Sequence, residues 1–133
     1  ENTVICPMMD ARRKQVYTGM YCFSNHQMQV IKEQDAVALE ELIEELNQMG
    51  RTVIFLGDAV PVYKDLIQEK CQVPYSFAPA HLSRQRAGAV GVLGSLYFKE
   101  GKTESAAEHK PEYLRVSQAE RERAERLKKE KHE

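Results

Sequence analysis

The sequence predicts an α/β fold: a mixed five-stranded sheet with flanking helices, in the order β-β-β-α-β-α-β-α, followed by a charged C-terminal tail. Three observations carry that expectation. Residues 3–31 alternate apolar and polar side chains with the period of half-buried strands. Residues 35–98 switch to helical spacing, interrupted by Thr52-Val53-Ile54-Phe55-Leu56, the continuous apolar run of a strand covered on both faces. Beyond Gly101 the chain turns polar and carries too few large apolar residues to build a core.

Each element has its own local cause. A first strand over residues 3–9 runs into the turn Asp10-Ala11-Arg12-Arg13-Lys14. The next strand, residues 15–23, sets Val16, Thr18, Met20 and Cys22 against Tyr17, Gly19, Tyr21 and Phe23. After Ser24-Asn25-His26 a shorter strand is expected over 27–31, so the three should form an antiparallel meander. Asp35 is a suitable N-cap for a helix whose apolar face is Leu39, Leu42, Ile43 and Leu46, and Gly50 stands where a helix ends. Gly57-Asp58 turns the apolar run into a second helix, with Pro61 in its first turn and Val62, Tyr63, Leu66 and Ile67 on one side. Residues 73–77 read as a short strand that Pro74 confines to a sheet edge or a strand start. A third helix is expected over 82–98. Two helical crossovers appended to a meander give the order of a ribonuclease H-like lobe, the unit found twice in actin-like proteins.

Composition narrows the class further. A chain of 133 residues with 42% apolar content has material for one core. The net charge of −1 gives no global field that would argue for or against nucleic acid. Cys6, Cys22 and Cys71 are odd in number and never spaced C-x-x-C, which suits a reducing cytoplasm, and Cys6 and Cys22, in strand-like segments, read as small buried thiols. No apolar run approaches the roughly 20 residues of a membrane span, so a cytoplasmic location without a membrane partner is expected. The chain opens on a strand with no initiator methionine, which suggests part of a longer parent. We therefore expect residues 1–103 to be the second lobe of a two-lobed parent and 104–133 to be a tail. Within that tail, 110–118 would dock and the end would be a charged helix or disordered.

Candidate sites follow from the turns. Asp10, Arg12 and Arg13 place a carboxylate beside cations on a tip, where arginine can hold phosphate or carboxylate bidentately; a plain solvated hairpin is the alternative. Gly57 and Asp58 stand where a buried strand meets a helix N-terminus, the usual phosphate crevice of open sheets, although no GxGxxG or GxxxxGK[ST] occurs. Gly88, Gly91 and Gly94 recur every three residues in the third helix, at a cost of about 1 kcal/mol each, which points to close packing on the sheet or against another body. His26, His81, His109 and His132 have no zinc-ligand spacing, and metalloprotease chemistry is not expected. The basic residues from Arg121 to Lys131 interleave with glutamates that nearly cancel their field.

Taken together, Asp10-Ala11-Arg12-Arg13 with Val16-Tyr17, Phe55-Leu56-Gly57-Asp58-Ala59 with Tyr63 and Leu66, and Lys110-Pro111-Glu112-Tyr113-Leu114-Arg115 with Ala119-Glu120 resemble the C-terminal half of the bacterial TsaB family. The resemblance runs from about residue 3 to residue 120. It implies a two-lobed actin-like parent whose first lobe, with its GPGSFTGLR-like segment, is not in this sequence. It also implies a non-catalytic subunit that partners the catalytic TsaD-type protein and a TsaE-type ATPase. That machinery threonylcarbamoylates adenosine 37 of ANN-reading tRNAs, so tRNA would be met through the complex. On that reading Asp10, Arg12, Arg13, Tyr113, Leu114 and Arg115 make inter-lobe or partner contacts. No metal or cofactor is held by this lobe alone, and ATP or ADP enters at the level of the complex. Separately, apolar surface expected near Tyr113-Leu114 and the glycine-striped helix leaves a homodimer of the isolated lobe open. A nucleotide-binding kinase-like lobe and a free-standing interaction module are the competing readings.

Overall fold

The structure, a computed structural model, describes residues 2–130. Strands β1 (Val4–Asp10), β2 (Gln15–Ser24), β3 (Gln27–Ala38), β4 (Val53–Leu56) and β5 (Tyr75–Phe77) form one sheet in the order β3-β2-β1-β4-β5. The first three are an antiparallel meander, and β1–β4 and β4–β5 are parallel pairs. Helices α1 (Leu39–Met49) and α2 (Ala59–Lys70) supply the two crossovers. Both crossovers step the same way across the sheet, so the right-handed rule puts both helices on one face.

That face holds the core. Val4, Cys6 and Met8 of β1, Val16 and Met20 of β2, and Val53 and Phe55 of β4 meet Leu39, Leu42, Ile43 and Leu46 of α1 and Ala59, Val60 and Ile67 of α2. Each fully buried aliphatic or aromatic side chain contributes about 1.5–3 kcal/mol. The Thr18 hydroxyl, buried among them, donates to the Pro7 carbonyl at 2.8 Å. Gly50 ends α1 in the left-handed conformation (φ 68°), and its N–H closes on the Leu46 carbonyl.

Three expectations need correction. Asp35 does not cap α1; it lies inside β3, paired with Thr18, and α1 starts at Leu39. One cap is worth about 1 kcal/mol, whereas extending β3 to Ala38 adds several ladder bonds and packs Val37 against the core. The third helix does not run unbroken from residue 82. A short turn at Ala80–Leu82 precedes α3 (Ala87–Lys99), and Arg86 between them is extended. The Ser83 carbonyl, which a continuous helix would use internally, instead accepts the Gly57 N–H at 2.8 Å.

The third correction concerns the glycines of α3. No residue of α3 is buried, and a Cβ added at Gly88, Gly91 or Gly94 would meet nothing within 4 Å. Leu93 and Tyr97 are the least exposed of its large apolar residues, while Phe98 is 74% exposed. At 100° per residue, Gly88, Gly91 and Phe98 lie on the side away from Leu93. The close packing expected of these glycines is therefore not made within the described chain. The described part of the tail includes α4 (Gln118–Glu130). Lys131, His132 and Glu133, part of the expected charged end, lie outside the described residues.

Candidate functional site

The parallel pairing of Pro7 with Leu56 brings the Asp10 turn and the Gly57 turn to the same end of the sheet. They are joined directly. The Asp10 backbone N–H donates to Asp58 Oδ1 at 2.9 Å, and Asp10 Oδ1 accepts from the Arg12 N–H at 2.9 Å and from the Tyr63 hydroxyl at 3.1 Å. Lost solvation, followed by the bond to the Asp10 carboxylate, raises the pKa of Tyr63. Gly57 is required here on two counts: its φ is 108°, and a Cβ would stand 2.0 Å from the Met8 carbonyl oxygen. Asp58 opens α2 without capping it, because its carboxylate is turned toward Asp10. The corner read as a phosphate turn thus carries two carboxylates, both engaged in holding the hairpin.

The hairpin tip is unusual in its backbone. Arg12, Arg13 and Lys14 have φ values of 62°, 53° and 57°. Each costs a non-glycine residue roughly 1–2 kcal/mol. The tip is closed by Ala11 N–H to the Gln15 carbonyl and Gln15 N–H to the Arg12 carbonyl, both 3.0 Å, and Lys14 offers its carbonyl to the first amide of α1, Leu39, at 3.0 Å. The side chains of Arg12, Arg13 and Lys14 are exposed, and no ion pair holds any of them among the described residues.

The tail segment returns to this same hairpin. Arg115 donates to the Ala11 carbonyl and to Gln15 Oε1, each at 2.8 Å, and its guanidinium stands over the Tyr17 ring at 5.8 Å. Gln34 donates to Glu112 at 3.0 Å. The sequence reading sends Arg115 to another body, and the structure uses it inside the chain. Leu114 is half-buried, whereas Tyr113 is 83% exposed. Of the expected contact residues, then, Asp10 and Arg115 brace the site and Arg12, Arg13 and Tyr113 face outward.

A cleft of about 300 Å³ opens beside the joint, lined by Pro7, Met9, Tyr17, Leu56 and Gly57 with Gln34, Ser83 and Arg84 at its edge. Sequence reasoning places Tyr63 only on the apolar face of its helix and misses it as the partner of Asp10. A tyrosine early in the helix that starts at the Gly57 turn is the available signal. The contribution of Ser83 and Arg84 leaves no such mark. Among the described residues no group of three or more His, Cys, Asp or Glu side chains is placed to hold a metal ion, and no helix is long and apolar enough to cross a membrane.

The sheet order and the position of the joint define a ribonuclease H-like fold. Two solved structures share that fold. One is described as an uncharacterised protein with similarity to peptidase YeaZ from Pseudomonas aeruginosa (TM-score 0.61, 19% identity, 84% of this chain and 49% of that one). The other is YeaZ from Pseudomonas aeruginosa (TM-score 0.60, 18% identity, 83% and 49%). The chain belongs to the family described as TsaD, tRNA N6-adenosine threonylcarbamoyltransferase, whose pattern matches residues 1–123, and within it to the TsaB type. It is 31% identical over 117 residues to the tRNA threonylcarbamoyladenosine biosynthesis protein TsaB of Bacillus subtilis. That match takes in 88% of this chain and 49% of the relative, so the chain spans about half the length of the curated protein it matches.

Proposed function

We propose that the chain is the second lobe of a non-catalytic subunit for threonylcarbamoylation of adenosine 37 in ANN-reading tRNAs. In that role it helps hold a TsaD-type catalytic subunit in its competent form, in the cytoplasm. A TsaE-type ATPase resets the assembly, and ATP or ADP belongs to the complex. One observation carries the reading: both carboxylates of the joint are committed to backbone amides and to the Tyr63 hydroxyl. A group so engaged sets the position of a turn and is poorly placed to move protons or bind a metal-bound water. This favours a positioning role over the kinase-like alternative, whose phosphate would have to share the corner with Asp58.

The test is a reconstituted tRNA modification assay with TsaD-type and TsaE-type subunits. Alanine at Asp10, Arg12 and Arg13 together should weaken both complex formation and modification. Unchanged values for both would remove the proposal. When expressed alone the lobe exposes α3, and we expect it to self-associate, which sedimentation would show as a concentration-dependent mass.

A further inference from the structure

The tip is a place where local backbone preference and side-chain choice conflict. The turn between β2 and β3 also uses the left-handed region, at Asn25 and His26 (φ 51° and 61°), and asparagine is one of the residues that tolerates it well. The tip between β1 and β2 puts three residues in that region and fills all three with long cations. Glycine or asparagine would relieve each position. Strain kept in this way is characteristic of functional segments. Here the side chains kept by it are cationic and exposed, and no ion pair engages them among the described residues.

The support around the tip points the same way. Asp10 and Tyr63 hold its base, Leu39 holds its far end, and Arg115 adds a fourth cation against the Ala11 carbonyl. Of the acids that begin α1 beside Lys14, Glu40 is paired with Lys70 at 3.3 Å. The result is a firm, narrow, positive projection on a chain whose net charge is −1. Such a shape fits a row of phosphates: arginine engages phosphate oxygens bidentately, and contiguous cations displace condensed counterions together.

We propose that Arg12, Arg13 and Lys14 form a binding site for the phosphodiester backbone of RNA. The inference rests on the tRNA-modification reading above, and it goes beyond that reading by assigning direct RNA contact to this lobe. The contact carries no base specificity; it positions the strand.

The test uses the whole chain and an end-labelled, unmodified tRNA transcript, with anisotropy followed between about 50 and 200 mM salt. Neutralising three phosphates gives a log–log salt slope of about −2 to −3. The variant carrying Arg12→Asn, Arg13→Asn and Lys14→Gly suits the left-handed backbone. It should keep or raise the Tm while binding at least about tenfold more weakly with a slope near zero. Arg12→Lys with Arg13→Lys should bind within about threefold of the parent, since charge is retained, and Arg123→Gln with Arg126→Gln in α4 should change nothing.

A parent chain without salt-dependent binding, or a neutral tip that binds as tightly as the parent, would overturn the inference. So would a neutral tip that keeps RNA but no longer captures the TsaD-type subunit, because the tip would then be a protein contact. If the parent chain never captures that subunit and the neutral tip still loses RNA, the RNA site stands and the accessory-subunit reading falls.

Discussion

The core-facing side of the sheet and helix α3 are both rich in apolar residues and are treated differently. On the α1–α2 side Val4, Cys6, Met8, Val16, Met20, Val53 and Phe55 share one buried cluster with residues of both helices, and Phe55 packs its ring against Tyr75 and Phe77 with centroids 6.1 and 6.3 Å away. On α3, a helix without a charged residue from Ala87 to Phe98, nothing is buried at all. Hydrophobicity alone does not decide burial; a surface of matching shape must be there to receive it. A helix apolar all round is one that expects cover.

Substitutions on the covered side and on α3 should behave differently, and Phe55→Ala should have the largest effect. It opens a cavity in the covered side and should lower stability by about 3–5 kcal/mol in denaturant titration. Gly57→Ala comes next. Its left-handed backbone and the Met8 carbonyl should together cost about 3 kcal/mol, with loss of the Asp10–Asp58 joint seen as faster proteolysis at the hairpin.

The covered side also has a pH signature. Burial pushes the Cys6 thiol up to about 11 from 9.0. Below about pH 9 the thiol is neutral whether the chain is folded or not, and stability is complete. As pH rises from 9 to 11 the unfolded chain releases the proton and the folded one does not, so stability should fall by about 2–3 kcal/mol. Cys6→Ala should flatten that decline while lowering the plateau.

Helix α3 predicts the reverse. Gly91→Ala enters empty space in a helix interior and should stabilise the chain by about 1 kcal/mol in thermal melts. Phe98→Ser should stay within about 0.5 kcal/mol of the parent. If Phe98→Ser proved as costly as Phe55→Ala, the covered side and α3 would not differ as described.

Much of this architecture is legible in the sequence because it is set by local pattern. Alternation marks β1 and β2, the apolar run marks β4, and Gly50 and Gly57 stand at the positive-φ positions that favour glycine. What escapes is decided between distant segments. Asp35 has the chemistry of a cap, yet a register running along all of β2 claims it for β3. Ser83 breaks the third helix because Gly57, 26 positions earlier, needs its carbonyl. The same holds at the candidate site: the two turns are visible as signals, but their joining through Asp58 and Tyr63, and the return of Arg115, are not. Periodicity also suggests a packed glycine stripe in α3, because it reports what a helix is suited to touch and not whether the partner is present.

The bond from Leu39 N–H to the Lys14 carbonyl has a practical consequence. It ties the opening amide of α1 to the last residue of the cationic tip, so that amide exchanges with solvent only when the tip lets go. Its deuterium uptake is a built-in gauge of tip order. The gauge is read at a single backbone position and needs no label on the arginines themselves.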